Sequence, residues 1–242
     1  MQQDYTVYTH TFTLADNDFD CYGNLRANRA MQFMQDVAAK HIALLGMSWD
    51  ELDAKNKLWV LSKIRMRFFK QIRKDTESLD VFTWLNKPSR CFTNRCFEAF
   101  DSQGNKVFAA FSSWLIIDKT DRKISYDNGG FAIDEKYYPD RKTDVCEDFR
   151  RIRCDDEFAP LYSFVVRRSL LDVNGHVNNT CYVTFALDAC DGKKLAEAEI
   201  VYHKEIKLND KVEILGKSTD ATYVTGQVDG QPCFFAKLTF DD

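Results

Sequence analysis

LDVNGHVNNTCYVTFALDAC, running from Leu171 to Cys190, joins a polar, glycine-containing turn directly to an apolar segment, and its reading decides how the rest of the chain is organised. Asp172, Asn174 and His176 alternate with Val173 and Gly175, so an extended or tightly turning backbone brings the three polar side chains to one side. Such a cluster can bind and polarise a ligand group. Asn178, Asn179 and Thr180 are each competent to cap a helix N-terminus. The CYVTFALDA that follows is apolar nearly all round, the pattern of a helix enclosed by protein. A buried helix is therefore expected to start beside the polar turn.

The same element occurs earlier in the chain. FDCYGNLRANRAMQFMQDVA aligns with the quoted stretch at one constant offset, pairing Asp20 with Asp172, Gly23 with Gly175, Phe33 with Phe185 and Asp36 with Asp188. Farther on, RFFKQIRKDT aligns with VYHKEIKLND, matching Lys70 to Lys204 and Ile72 to Ile206 at a second constant offset. The order of elements is thus duplicated, while the chemistry is not. Tyr22, Asn24 and Gln71 stand where the second half has Asn174, His176 and Glu205.

Outward from these landmarks, each half reads as a strand, the turn, a long helix and several antiparallel strands. The first half, residues 1–118, opens with the alternating YTVYTHTFTL and has a helix from about Ala27 to Leu45, stopped by Gly46 in a left-handed cap. Ser48 and Glu51 form a capping box for a short helix. Lys63, Arg65 and Arg67 alternate with Ile64, Met66 and Phe68, predicting a half-buried strand with a solvated charged face. DSQGN then joins two further strands as a hairpin. Residues 119–160 carry charged and turn-forming residues, including DNGG at Asp127 to Gly130, and read as the connection between halves. The second half, residues 161–242, resumes with LYSFVVRRS, and AEAEIVYHKEI follows its helix as a strand.

Composition narrows the classes of function. With 45% hydrophobic content, 242 residues can bury a sizeable core. A formal charge of −4 argues against general nucleic-acid binding. Eight Cys without CxxC or zinc-finger spacing read as reduced thiols, and a cytoplasmic location without cofactor or metal is the expectation. No apolar run reaches the roughly 18 residues of a membrane span, and no signal or transit peptide is expected.

DVNGHVNN at Asp172 to Asn179 with Tyr182 following, YHKEI at Tyr202 to Ile206 and DxxGNL at Asp20 to Leu25 together resemble the fatty acyl-ACP thioesterases, and the resemblance covers nearly the whole chain. It implies an α+β fold, a double hot-dog, in which two tandem repeats each wrap a curved antiparallel sheet around a long central helix. It also implies hydrolysis of the thioester that joins a fatty acyl chain to the phosphopantetheine of acyl carrier protein (ACP). The catalytic set it implies is Asp172, Asn174, His176 and Glu205, with the acyl tunnel in the first half, where Met31 and Met34 are the candidate substrate-binding residues. Plant members carry Cys directly after the catalytic Glu. This chain has Ile206 there, which removes that nucleophile and favours attack by water or by the carboxylate itself. The connector DGKKLA also looks shorter than in the plant members.

The residues can support that chemistry on their own terms. Glu205 can activate water or attack directly, His176 can orient substrate or donate to the developing oxyanion, Asn174 offers an amide donor at the carbonyl, and Asp172 can hold the turn in register. Each also has a plainer reading. Asp172 and Asn174 are ordinary turn formers, Asn178 and Asn179 ordinary caps, and a lone His176 is more often structural. Glu205, taken as a strand residue, falls on the face opposite Ile206. Cys181 and Cys190 read as helix packing. An acyl-CoA thioesterase and a non-catalytic acyl or carrier-protein binding module are the alternatives. Acidic carrier protein is expected to meet the basic groupings Arg150, Arg151 and Arg153, Arg167 and Arg168, and Lys193 and Lys194. A homodimer is compatible with the sequence and not required by it.

Overall fold

The computed structural model describes residues 5–127, 130–131, 133–145, 149, 157–190 and 194–241. In the first half, β1 (Val7–Thr13) is followed by α1 (Ala27–Leu44), α2 (Trp49–Asp53), β2 (Lys57–Phe68), β3 (Ser78–Ser89), β4 (Phe92–Asp101) and β5 (Lys106–Asp118). The second half repeats the order with β6 (Ala159–Val165), α3 (Cys181–Leu187), β7 (Leu195–Tyr202), β8 (Lys211–Ser218), β9 (Thr222–Val228) and β10 (Gln231–Phe240). Gly46 has φ 76° directly after the C-cap of α1, and Ser48 and Glu51 make the reciprocal capping box of α2.

Among the described residues the strands form one antiparallel sheet in the order β1-β3-β4-β5-β2-β7-β10-β9-β8-β6. The two halves meet where β2 pairs with β7, and each strand of one half has its counterpart at the mirrored position in the other. Arg65 pairs with Glu199, at the offset that also relates Lys70 to Lys204, so the local twofold axis passes between two equivalent positions that carry opposite charges. Arg65 is 7% exposed, and its Nε donates to Glu199 Oε2 at 3.2 Å. This corrects the solvated face expected for Lys63, Arg65 and Arg67. Arg67 is exposed, but Lys63 lies over the rings of Phe92 and Phe149 and Arg65 is enclosed, because β2 is an interior strand of the joined sheet.

The register of β2 against β5 shifts between Leu61 and Lys63. That bulge reverses the parity of the strand, so Leu61 faces the core together with Ile64, Met66 and Phe68. α1 packs on β3 and β1 through Phe33, whose ring lies 4.4 Å from that of Phe12. Described parts of the connector cover the opposite face of the first-half sheet. Arg141 accepts from Trp84 Nε1 through its carbonyl at 3.1 Å and pairs with Glu98, while Val145 packs with Trp84, Cys96 and Phe111.

The second helix is much shorter than expected. α3 spans 7 residues against 18 in α1, ending at the position equivalent to Gln35. The reason lies in the chain that follows: β7 opens at Leu195, leaving no room for the two further turns in which α1 carries Val37, Ala38, His41 and Ile42.

Candidate active site

The turn that begins at Asp172 is built by its own side chain. Asp172 Oδ1 accepts from the amides of Asn174 (2.8 Å) and His176 (3.3 Å), and the Asp172 amide donates to the His176 carbonyl at 2.8 Å. Gly175 supplies the left-handed residue, φ 77°, that closes the loop. Its first-half twin is superimposable in chemistry: Asp20 Oδ1 accepts from Tyr22 and Asn24, both at 2.9 Å, and Gly23 has φ 79°.

Glu205 does not lie in a strand. β7 ends at Tyr202, so the strand-face argument against Glu205 fails, and the carboxylate sits on an irregular segment whose next residue, Ile206, is fully buried. Two contacts bring this segment to the turn. Val177 N–H donates to the Ile206 carbonyl at 2.9 Å, and His176 bridges Lys207. The result places His176 Nε2 3.2 Å from Glu205 Oε2, within ion-pair distance of the carboxylate. Arg122 pairs with the other oxygen of Glu205. Both catalytic candidates stay partly open to solvent.

A cavity of about 290 Å³ separates the turn from the first half. Asp172, Asn174, Asn178 and Asn179 form one wall; Gln35, Ala38 and Ile42 of α1, with Trp59, Leu61, Trp114, Thr93 and Arg95 from the strands, form the other. Asn179 is fixed from both sides: its side-chain oxygen accepts from Gln35 and its carbonyl accepts from the Tyr202 hydroxyl at 3.0 Å. His176 and Glu205 are not part of the wall, so the structure brings Asp172 and Asn174 to the cavity and joins His176 to Glu205 beside it.

Met31 and Met34 do not line this cavity. Each is 1% exposed and packed within the main core, roughly one to two turns of α1 before the Ala38 and Ile42 that do line it. Arg122, Arg95 and the Gln35 to Asn179 link were not expected from sequence. All three depend on pairings between segments distant in the chain, although Gln35, a polar residue between the apolar positions Met34 and Ala38, was a visible signal. Burial, chiefly, pushes the Cys181 thiol up, as it does that of Cys233, so neither is an activated nucleophile. Arg150, Arg151, Arg153 and Lys193 lie outside the described residues.

A carboxylate and an imidazole in contact, next to amide groups that face a largely apolar cavity, can activate water toward a polarised carbonyl. Comparison with known proteins points the same way. Residues 5–126 match the model of the acyl-ACP thioesterase N-terminal domain and residues 155–230 that of the acyl-ACP thioesterase C-terminal domain. The chain is 24% identical over 219 residues to the palmitoyl-acyl carrier protein thioesterase, chloroplastic, of Arabidopsis thaliana, covering 84% of this chain and 53% of that protein. The chain spans about half the length of the curated relatives it matches. In fold it is similar to an acyl-ACP thioesterase from Bacteroides thetaiotaomicron (TM-score 0.89, 24% identity, all of both chains). It is also similar to the 12:0-ACP thioesterase from Umbellularia californica (TM-score 0.79, 16% identity, 98% of this chain and 97% of that one). The architecture is therefore the double hot-dog.

Proposed function

The chain belongs to the acyl-ACP thioesterase family, and from that premise we propose that it hydrolyses fatty acyl-ACP to free fatty acid and holo-ACP. The observation that carries this reading is the 3.2 Å contact between His176 and Glu205 beside the Asp172 turn. Glu205 is the base, or the nucleophile, and His176 orients it. The Asn174 amide polarises the thioester carbonyl and steadies the oxyanion that forms when water adds. Collapse of the adduct breaks the carbon–sulfur bond, and a thiolate departs without strong acid assistance. Asp172 keeps Asn174 and His176 in register through its two amide hydrogen bonds. The domain division follows the chemistry, with a catalytic second half at 161–242, an acyl-binding first half at 1–118, and 119–160 connecting them.

Acidic carrier protein docks in this scheme on basic side chains, of which Arg167, Arg168 and Lys194 are exposed. Lys194 also pairs with Asp241 at 3.3 Å. The test is to supply matched acyl-ACP and acyl-CoA and measure free fatty acid. Release from acyl-ACP is expected to dominate, with an apparent Michaelis constant that rises with salt as charges are screened over roughly 8 Å. Equal or better turnover of acyl-CoA, indifferent to salt, would move the assignment to an acyl-CoA hydrolase, and no release from either would leave a binding module.

A further inference from the structure

Arg95 lines the cavity from β4 and is 4% exposed. Its neighbours on the same face of the strand, Phe97 and Ala99, belong to the dry core, so the guanidinium stands where the core gives way to the cavity. Its Nη1 donates to Thr83 Oγ1 at 3.0 Å and meets His41 Nδ1 at 2.9 Å. Burial, and then the charge of Arg95, lower the His41 pKa to about 4, so this imidazole is neutral, accepts at Nδ1, and gives its Nε2 proton to the Tyr5 carbonyl 2.7 Å away. Both partners of Arg95 are therefore uncharged.

The other enclosed arginine makes the contrast. Arg65 has Glu199 against it, whereas Arg95 makes no salt bridge among the described residues. Burial brings the Arg95 pKa only to about 9, which leaves it charged at neutral pH. A buried charge without a counter-charge is expensive, and it persists where something else supplies the missing partner. Nε and Nη2 have no hydrogen-bond partner among the described residues, yet neither is a sealed-off orphan, so they open onto the cavity. The wall around them is Trp59, Trp114, Leu61 and Ile42, suited to an aliphatic chain. An alkyl chain seated against this wall would strip the remaining water from the guanidinium and offer nothing in return.

We propose that Arg95 is a specificity-determining residue that selects acyl groups carrying a carboxylate away from the thioester over unsubstituted alkyl chains of the same length. The planar guanidinium presents paired N–H groups that match a carboxylate fork. A site built around such a donor discriminates against an analogue lacking the acceptor far more strongly than an apolar pocket discriminates one methylene. The inference rests on the hydrolase reading for its kinetic consequence and on the cavity alone for its binding consequence.

The two are tested together. Wild-type protein is assayed with a length series of saturated acyl-ACPs and the matching ω-carboxyacyl-ACPs, and the free monocarboxylic and dicarboxylic acids of each length are titrated in by calorimetry. At the best-fitting length, kcat/KM is expected to favour the carboxyacyl substrate by about 100-fold or more, with the diacid binding more tightly than the monoacid. Arg95→Met, checked for folding by thermal melting, should reverse both preferences. Diacid binding without hydrolysis of any substrate would keep the inference and remove the hydrolase reading. Hydrolysis of plain chains as well as or better than carboxyacyl chains at every length, with no diacid preference in the wild-type titration, would overturn the role given to Arg95 whatever the variant does.

Discussion

Glu205 holds two partners at once, His176 on one oxygen and Arg122 on the other, and each carboxylate oxygen keeps a second lone pair for a water proton. The first-half turn has the same backbone hydrogen bonds but no such pair: Gln71 gives its amide to the Leu195 carbonyl at 2.8 Å. Replacing Asn24 by Ala should therefore leave fatty-acid release within about twofold of wild type, while Asn174→Ala lowers it by roughly 100-fold or more; equal losses in a steady-state assay would contradict the division of labour. His41 gives a second residue-scale prediction. Its folded pKa is held down to about 4 by burial and by Arg95, below the ordinary 6.5, so protons bind preferentially to the unfolded chain. The stability it contributes is fully present above pH 6.5 and is lost as pH falls toward 4, up to about 3 kcal/mol. Urea melts across that window should show the slope in wild type and a flatter one in His41→Gln. Asp172, Asn174 and His176 could be read as a polar cluster because a turn writes its chemistry locally, whereas Glu205 was named only through the family resemblance. Arg122 and Arg95 were not legible, since their roles exist only once distant segments are brought together.

At the scale of elements, the repeat gave away the order of strands and helices, but not the length of α3 or the bulge in β2. Both are set by what a neighbouring segment allows: β7 begins too soon for a longer helix, and the β2 to β5 register slips near Ser62. The family resemblance put Met31 and Met34 in the acyl pocket, whereas both pack in the main core and the cavity is lined farther along α1, since helical periodicity reports which face is buried and not whether it meets core or cavity. The two cases separate experimentally. Ile42→Trp fills the cavity and should shift the released fatty acids to shorter chains with the fold intact. Met34→Trp overpacks the core and should cost about 1–3 kcal/mol in denaturant melts instead. A shortened profile from Met34→Trp with unchanged stability would return the pocket to the core side of α1.

Across the whole molecule, the joined sheet depends on the β2 to β7 seam and on the charge pair at its centre. Nothing in the alternation of Lys63, Arg65 and Arg67 announces that one of the three is enclosed; the second half has to be docked before Glu199 reaches it. Removing Arg65 leaves Glu199 buried without its salt-bridge partner, so Arg65→Met should lower stability by about 3–5 kcal/mol in equilibrium unfolding, and a loss under about 1 kcal/mol would show the pair to be solvated. No helix among the described residues is long and apolar enough to cross a membrane. Both halves are needed for function in this account, one to hold the acyl chain and the other to cleave it, with Glu205 at the point of cleavage. Catalysis without a cysteine is the outcome expected of the proposed mechanism, since Ile206 stands beside Glu205 and the Cys181 thiol is raised by burial. The most direct test is a stopped assay of fatty acid released from acyl-ACP by wild type, by thiol-alkylated wild type and by Glu205→Gln, each shown to be folded. Alkylation should leave release intact and Glu205→Gln should lower it by about 100-fold or more. A fully active Glu205→Gln, with activity abolished by alkylation, would contradict both the mechanism and the site.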